Sequence, residues 1–150
     1  QEDIPNPELL SLLLNSLYAL TKLSLPEAQV KAVFELRAAC LSGFTPDLFG
    51  CHICGSQEPV RFDLRAGQLE CESCRDPNSE GIRLPVTPAV LEAMRYICLC
   101  EPKRLFSFRV GEDALKLLMN LTEAYLATQL ERGFSTLDFY KSLFIGEKYV

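Results

Sequence analysis

Cys51-His52-Ile53-Cys54 and Cys71-Glu72-Ser73-Cys74 are two C-x-x-C pairs separated by sixteen residues. A C-x-x-C turn directs two sulfurs toward one point, and two such knuckles supply the closed tetrahedral thiolate shell that Zn²⁺ favours. With four protein ligands no position remains for water or substrate, so the expected ion is structural Zn²⁺ held by Cys51, Cys54, Cys71 and Cys74. Disulfides would require an oxidising compartment, and nothing in the sequence marks the chain for export. Ferredoxin cysteine spacings do not match. A thioredoxin-like site would need a single C-x-x-C near a βαβ pattern, which is not visible. His52, the single histidine, lies inside the first knuckle and is read as a solvated loop residue.

The elements that must position these sulfurs follow from hydrophobic spacing. Asn6-Pro7-Glu8 opens a first helix as N-cap, first helical residue and acidic first turn. Leu9, Leu10, Leu13, Leu17 and Leu20 form its expected core stripe, broadened by Leu12 and Leu14. Ser24-Leu25-Pro26-Glu27 reads as a capping box opening a second helix. Val30, Val33, Phe34, Cys40 and Leu41 form its buried face, and Gly43 ends it. The short link predicts antiparallel packing. Between the knuckles, Val60–Leu64 alternates, Ala66-Gly67 offers a turn and Gln68–Cys71 returns, which predicts a short hairpin. Asp76–Gly81 is a loop. Thr87-Pro88 starts a third helix with Val90, Leu91, Met94 and Ile97 inward. A fourth, over about 112–132, uses Leu115, Leu118, Met119, Thr122 and Leu126, with Gly133 closing it. Ser135–Asp138 caps a last short helix bearing Tyr140, Leu143 and Phe144. Cys40, Cys98 and Cys100 are expected to pack as small hydrophobes. The fold class is mainly α: a helical bundle from 1–48 and 86–150, with a four-cysteine zinc ribbon, a short β-hairpin, inserted at 49–85.

Composition narrows the functions. The 150 residues are nearly half hydrophobic with a net charge of −5, enough for one core. Such a charge opposes non-specific attraction to phosphates. Around the ribbon, Arg61, Arg65, Arg75 and Arg83 face Glu58, Asp63, Glu70, Glu72, Asp76 and Glu80, and a zinc ion held by four thiolates adds further negative charge. The apolar run from Leu9 to Leu25 is interrupted by Asn15, Thr21 and Lys22. Its flank carries Glu2, Asp3 and Glu8 where a signal peptide would be basic, so a core helix is expected and no membrane partner. The first residue is Gln1, which leads us to expect a piece of a longer polypeptide. No H-E-x-x-H, G-x-S-x-G, P-loop or dinucleotide fingerprint occurs, and no enzymatic activity is expected.

Phe34-Glu35-Leu36-Arg37, followed by Gly43-Phe44-x-Pro46 and Cys51-x-x-Cys54, together with the leucine-rich first helix and the Thr-Pro helix start, resembles the DNA repair protein RecO family. The likeness runs from about Pro7 to Leu143. It implies the helical and zinc-bearing portion of such a protein, without the N-terminal OB-fold barrel. It further implies a non-catalytic recombination mediator in the bacterial cytoplasm, associated with the nucleoid. Such proteins bind and anneal single-stranded DNA. With RecR they help load recombinase onto DNA coated by single-strand DNA-binding protein. Some members hold that protein's acidic, Phe-terminated tail, for which Phe34, Arg37 and Leu41 are the candidates here; the alternative is that Arg37 pairs with a nearby Glu. Arg61, Arg65, Arg75, Lys103 and Arg104 are the candidate DNA contacts, weak in this chain because of their acidic neighbours and the missing barrel. A rival reading is a zinc-ribbon transcription or translation factor acting as a protein-interaction module. A ribbon on a flexible tether would favour it, whereas Phe34, Leu36 and Arg37 on a helix buried beneath the ribbon would favour RecO.

Overall fold

The computed structural model describes residues 5–76, 78 and 80–130. Four helices, α1 (Pro7–Lys22), α2 (Glu27–Leu41), α3 (Pro88–Leu99) and α4 (Glu112–Leu130), enclose most of the core. Strands β1 (Arg61–Asp63), β2 (Gln68–Glu70) and β3 (Arg83–Pro85) lie in the insertion between α2 and α3. The fold is therefore mainly α with a small antiparallel sheet. The last helix expected around Tyr140, Leu143 and Phe144, and its Ser135–Asp138 cap, lie outside the described residues.

Local chemistry sets most helix ends where the sequence expects them. Asn6 Oδ1 accepts from the Leu9 amide at 2.9 Å, and Thr87 Oγ1 from that of Val90 at 3.4 Å. Gly43 takes a left-handed φ of 91°. The Phe44 amide reaches back to Ala39 O and the Gly43 amide to Cys40 O, so α2 closes in the double reverse bond that such a residue permits. The Ser24–Glu27 capping box does not form. Ser24 itself is left-handed (φ 50°), whereas an N-cap residue needs extended backbone to aim its oxygen at the first amides. Pro26 is the N-cap, without a side-chain hydrogen bond.

The other three helices all pack against α2. It contributes Val30, Ala32, Val33, Leu36 and Ala39 to the core, while Phe34, Cys40 and Leu41 are only half-buried. Val90, Leu91, Met94 and Ile97 of α3 are buried as expected. In α4 the inward face is Leu115, Leu118, Leu121, Thr122 and Tyr125, with Met119 and Leu126 to the side. Cys40, Cys98 and Cys100 are each half-buried, and Cys98 and Cys100 pack against the core as expected of small hydrophobes.

The first helix overturns a clear expectation. It buries Leu12, Ser16 and Ala19, while Leu10, Leu13 and Leu17 are 45–56 % exposed and Leu9 and Leu20 also face outward. Leucines surround this helix, so spacing alone does not select a face. Ser16 and Ala19 allow close approach to a neighbour, and the Ser16 hydroxyl donates to Leu12 O at 2.8 Å, so its burial leaves no unmet polar atom. No described helix is long and apolar enough to cross a membrane.

Polar ties then fix α4 to α2. Lys31 Nζ lies 2.6 Å from Glu35 Oε1 and 2.8 Å from Glu123 Oε2, and Thr122 Oγ1 donates to Glu35 Oε2 at 3.0 Å. Burial raises the Glu35 carboxyl above its ordinary range, outweighing the pull of Lys31. The folded chain thus binds this proton more tightly than the unfolded one, and the group's contribution to stability falls as pH rises past the usual carboxylate value. Burial works to lower the Lys31 ammonium, but hydrogen bonds to Glu123 and Glu35 raise it on balance. Its contribution is present at neutral pH and lost only in alkali. Lys31→Met leaves the two carboxylates facing each other. It is expected to cost about 2 kcal/mol near pH 7, below the range for a fully buried pair because Lys31 retains some solvent access. Urea unfolding should show that loss shrinking as pH falls, because the Glu35 carboxyl, already raised by burial, takes up its proton.

Candidate functional site

The two knuckles meet at one end of the sheet. In the first, the Gly55 amide bonds to Cys51 O and the Cys51 amide to Ser56 O, closing a tight turn. The His52 amide then bonds to Leu69 O, attaching the turn to β2. The second knuckle is a single 3-10 turn, Glu72–Cys74, directly after β2. The sulfurs of Cys51, Cys54, Cys71 and Cys74 all lie within 4.8 Å of one another, and those of Cys54 and Cys71 are 3.6 Å apart. Tetrahedral ligands at Zn–S distances near 2.3 Å would stand about 3.8 Å apart. The four thiols can therefore hold a metal ion with little movement. Cys51 and Cys71 are buried, Cys74 half-buried and Cys54 exposed.

Proton sharing within the cluster fits that capacity. Burial works to raise the Cys51 thiol, but backbone groups of Cys54, Cys71 and Ile53 draw it down to about 6. Hydrogen bonds to Cys54 and Cys71 push Cys74 up to about 12. Four negative sulfurs cannot crowd together unneutralised, and a divalent cation removes the conflict by displacing the remaining protons. His52 stays outside the cluster, its Nε2 3.7 Å from Glu70 Oε1.

The sheet that carries the cluster is three-stranded, in order β2-β1-β3. The sequence shows only the β1–β2 hairpin; Arg83–Pro85 is too short to announce itself as a strand. Phe62 of β1 faces Leu69 on one side and Leu84 on the other. Arg83 staples the third strand in place. Its Nε lies 2.9 Å from Glu70 Oε1, and its terminal nitrogen 3.1 Å from Asp63 Oδ2. Asp63 Oδ1 accepts from the amides of Arg65 and Ala66, ordering the turn that follows β1.

The sheet is also joined to the bundle. Phe62 meets Tyr125 edge-on at 5.2 Å. Gln129 Nε2 donates to Leu64 O at 2.8 Å, and Tyr125 Oη to Phe44 O at 3.0 Å. At the turn, Gly67 (φ 66°) leaves room for the Tyr125 hydroxyl, which an added Cβ would meet at 2.9 Å. Phe62, Leu64 and Leu69 belong to the same apolar core as the helices. The helix that anchors the ribbon is thus α4 through Tyr125 and Gln129; the sequence reading looked to α2.

The remaining candidates divide. Arg37 and Leu41 line one cleft of about 210 Å³, with Leu12, Asn15 and Leu105 opposite; Phe34 is not part of it. Residues from the start of α1 and the end of α2 share this cleft, as antiparallel packing requires. Among the described residues Arg37 pairs with no Glu; its Nη1 donates to Ile97 O and Cys98 O at 3.0 and 2.8 Å, satisfying carbonyls at the end of α3. Arg61 and Arg75 converge on Glu72, at 3.1 and 3.8 Å. Arg65 is exposed in the turn after β1, and Lys103 and Arg104 lie on the 3-10 turn Pro102–Arg104.

A second, larger groove of about 950 Å³ was not legible in the sequence. Arg95, Tyr96, Leu99, Arg104, Phe108 and Arg109 are among its lining residues. They come from one face of α3 and from the irregular segment after it, which Gln29 holds by donating to Phe108 O at 2.9 Å. The basic and aromatic residues of that segment were the only available signal, and they carry no period.

The family model described as "Recombination protein O C terminal" matches residues 1–138. A protein named DNA repair protein RecO from Acetivibrio thermocellus is 35 % identical over 145 residues, covering 95 % of this chain and 57 % of its own length. One of the same name from Caldicellulosiruptor saccharolyticus is 30 % identical over 138 residues, 91 % of this chain and 54 % of that protein. Another, from Rubrobacter xylanophilus, is 34 % identical over 118 residues, 75 % and 46 % respectively. The chain spans about half the length of the curated relatives it matches. With a family model matching residues 1–138 and relatives 30–35 % identical over most of its length, the chain belongs to the RecO family, in its C-terminal portion.

Proposed function

We propose that this chain is the helical and zinc-bearing module of a recombination mediator, acting in DNA repair by docking rather than by turnover. The observation that carries the reading is the family match over residues 1–138. In it, single-strand annealing and recombinase loading on DNA coated by single-strand DNA-binding protein are shared with RecR and with the rest of the full-length polypeptide. The ribbon shares its apolar core with the helices, which speaks against a tethered transcription-factor ribbon.

The resident ion in this proposal is Zn²⁺ bound by Cys51, Cys54, Cys71 and Cys74, with a structural role: it closes the open end of the sheet. Residues 49–85 then behave as a unit that depends on the ion, and 1–48 with 86–150 as one that does not. Cys71→Ser, or removal of zinc by a strong chelator, is expected to abolish amide-exchange protection across 51–85 while that of α2 and α4 persists. Ribbon protection unchanged in the variant would refute the structural role.

The cleft at Arg37 and Leu41 is the proposed seat for the acidic, Phe-terminated tail of single-strand DNA-binding protein. Its lining joins Leu12, Leu41 and Leu105 to the Arg37 cation, with Glu8 also present; an apolar surface and a cation are the two features a terminal Phe and its carboxylate need. Titration with such a peptide should give binding that Arg37→Ala weakens about tenfold, the value of one charge-assisted hydrogen bond. A loss on Arg104→Ala with none on Arg37→Ala would instead move the seat to the larger groove.

Arg61, Arg65, Arg75, Lys103 and Arg104 make at most a weak DNA surface, since Glu72 engages two of them and the net charge is −5. Binding of a short single strand should be weak and vanish over a modest rise in salt. Submicromolar affinity at about 150 mM salt would overturn this part of the proposal.

A further inference from the structure

Outside the ribbon, two cysteines from different helices stand sulfur to sulfur. Cys40 lies in the last turn of α2 and Cys98 in the last turn of α3, 58 residues apart in sequence, with a hydrogen bond joining their Sγ atoms at 3.6 Å. We propose that Cys40 and Cys98 form a reversible dithiol–disulfide pair that reacts with low-molecular-weight disulfides and clamps α2 to α3. This assignment is independent of the mediator reading and of the metal in the ribbon.

Four observations carry it. Closing the gap from 3.6 Å to the ~2.05 Å of a disulfide asks less than about 1 Å of each sulfur, within the reach of side-chain rotation. Both thiols are half-buried rather than sealed in the core, so a small disulfide can approach. The surroundings also divide the two roles. A helix C-terminus disfavours a thiolate, but Arg37, one turn before Cys40, brings its guanidinium to the carbonyls of Ile97 and Cys98. The hydrogen bond with Cys98, working against burial and aided by Thr45 and then by the Arg37 charge, lowers the Cys40 thiol to about 7, while Cys98 is raised by its hydrogen bond to Cys40 and by burial. Cys40 is then the attacking sulfur and Cys98 the resolving one. Finally, the pair is not part of a metal cage: among the described residues the one cluster of suitable spacing is that of the ribbon. Cys100, two residues beyond Cys98, does not complete a third ligand position.

The chemistry balances with the disulfide as sole oxidant. Cys40 thiolate attacks one sulfur of RSSR, forming a Cys40–SR mixed disulfide and expelling RS⁻. Cys98 then gives up its proton and attacks the Cys40 sulfur, expelling a second RS⁻. The two expelled thiolates take up the protons lost by Cys40 and Cys98. Overall, two protein thiols are oxidised to one disulfide and RSSR is reduced to two RSH. The new bond closes a loop that contains the entire ribbon, and it locks the ends of α2 and α3 beside the cleft that Arg37 lines.

The test is treatment of the zinc-loaded chain with oxidised glutathione, followed by intact mass and peptide mapping without reduction. The expected product has lost two hydrogens and yields a peptide of Cys40 linked to one of Cys98, with a raised thermal midpoint that dithiothreitol reverses. Cys98→Ser should stop at a stable glutathione adduct on Cys40, and Cys100→Ser should still form the link. A Cys40 adduct that persists in the unsubstituted chain, a link from Cys40 to Cys100, or oxidation confined to the ribbon cysteines would each overturn the proposal. The map of the unsubstituted chain decides the matter even if a variant folds poorly.

Discussion

A sheet of three strands, each three residues long, buries too little apolar surface to hold itself together in water. The constraint that governs this molecule is therefore that its small β element must be fastened at both ends. At one end four sulfurs converge within 4.8 Å. At the other, Phe62 stacks edge-on against Tyr125 and Gln129 of α4 takes the carbonyl of Leu64. Between them Arg83 bridges Glu70 and Asp63 from the third strand. The ribbon is thus a continuation of the helical core, with a four-cysteine cluster at its far end that could hold a metal ion.

The same economy runs through the helices. Buried polar groups carry the orientation of the bundle: Glu35 with Lys31 and Thr122 sets α2 against α4. Gln29 holds the segment after α3, and Arg37 satisfies the carbonyls that end α3. No described buried side-chain nitrogen or oxygen lacks a partner. Apolar packing alone would tolerate helices sliding past one another; these paired groups make a slide costly because each would be left unsatisfied. Arg37 sits where this scaffolding meets chemistry, capping α3, lining a cleft and biasing the thiol beside it.

Against this order, α1 stands apart. Its inner face is made of Leu12, Ser16 and Ala19, and a row of leucines points outward. Ordinary soluble surfaces do not gather so many large apolar residues on one helix. The relatives are nearly twice as long as this chain, and the exposed leucines belong to a helix whose main neighbour is α2.

Spacing along the chain determined what depends on near neighbours. Two C-x-x-C pairs specify a four-sulfur cluster because each turn orients its own thiols. Asn6, Thr87 and Gly43 mark helix ends because caps are local hydrogen bonds. The order of Phe34–Arg37, Gly43–Pro46 and the first knuckle pointed to the family. Tertiary structure decided what depends on partners distant in sequence. It chose which side of a uniformly leucine-rich helix to bury, turned Ser24 left-handed so that Pro26 starts α2, and added Arg83–Pro85 as a third strand through its ion pairs with Asp63 and Glu70. It also set Cys40 against Cys98 across 58 residues. These outcomes rest on long-range packing and charge pairing, which leave no period in the sequence to read.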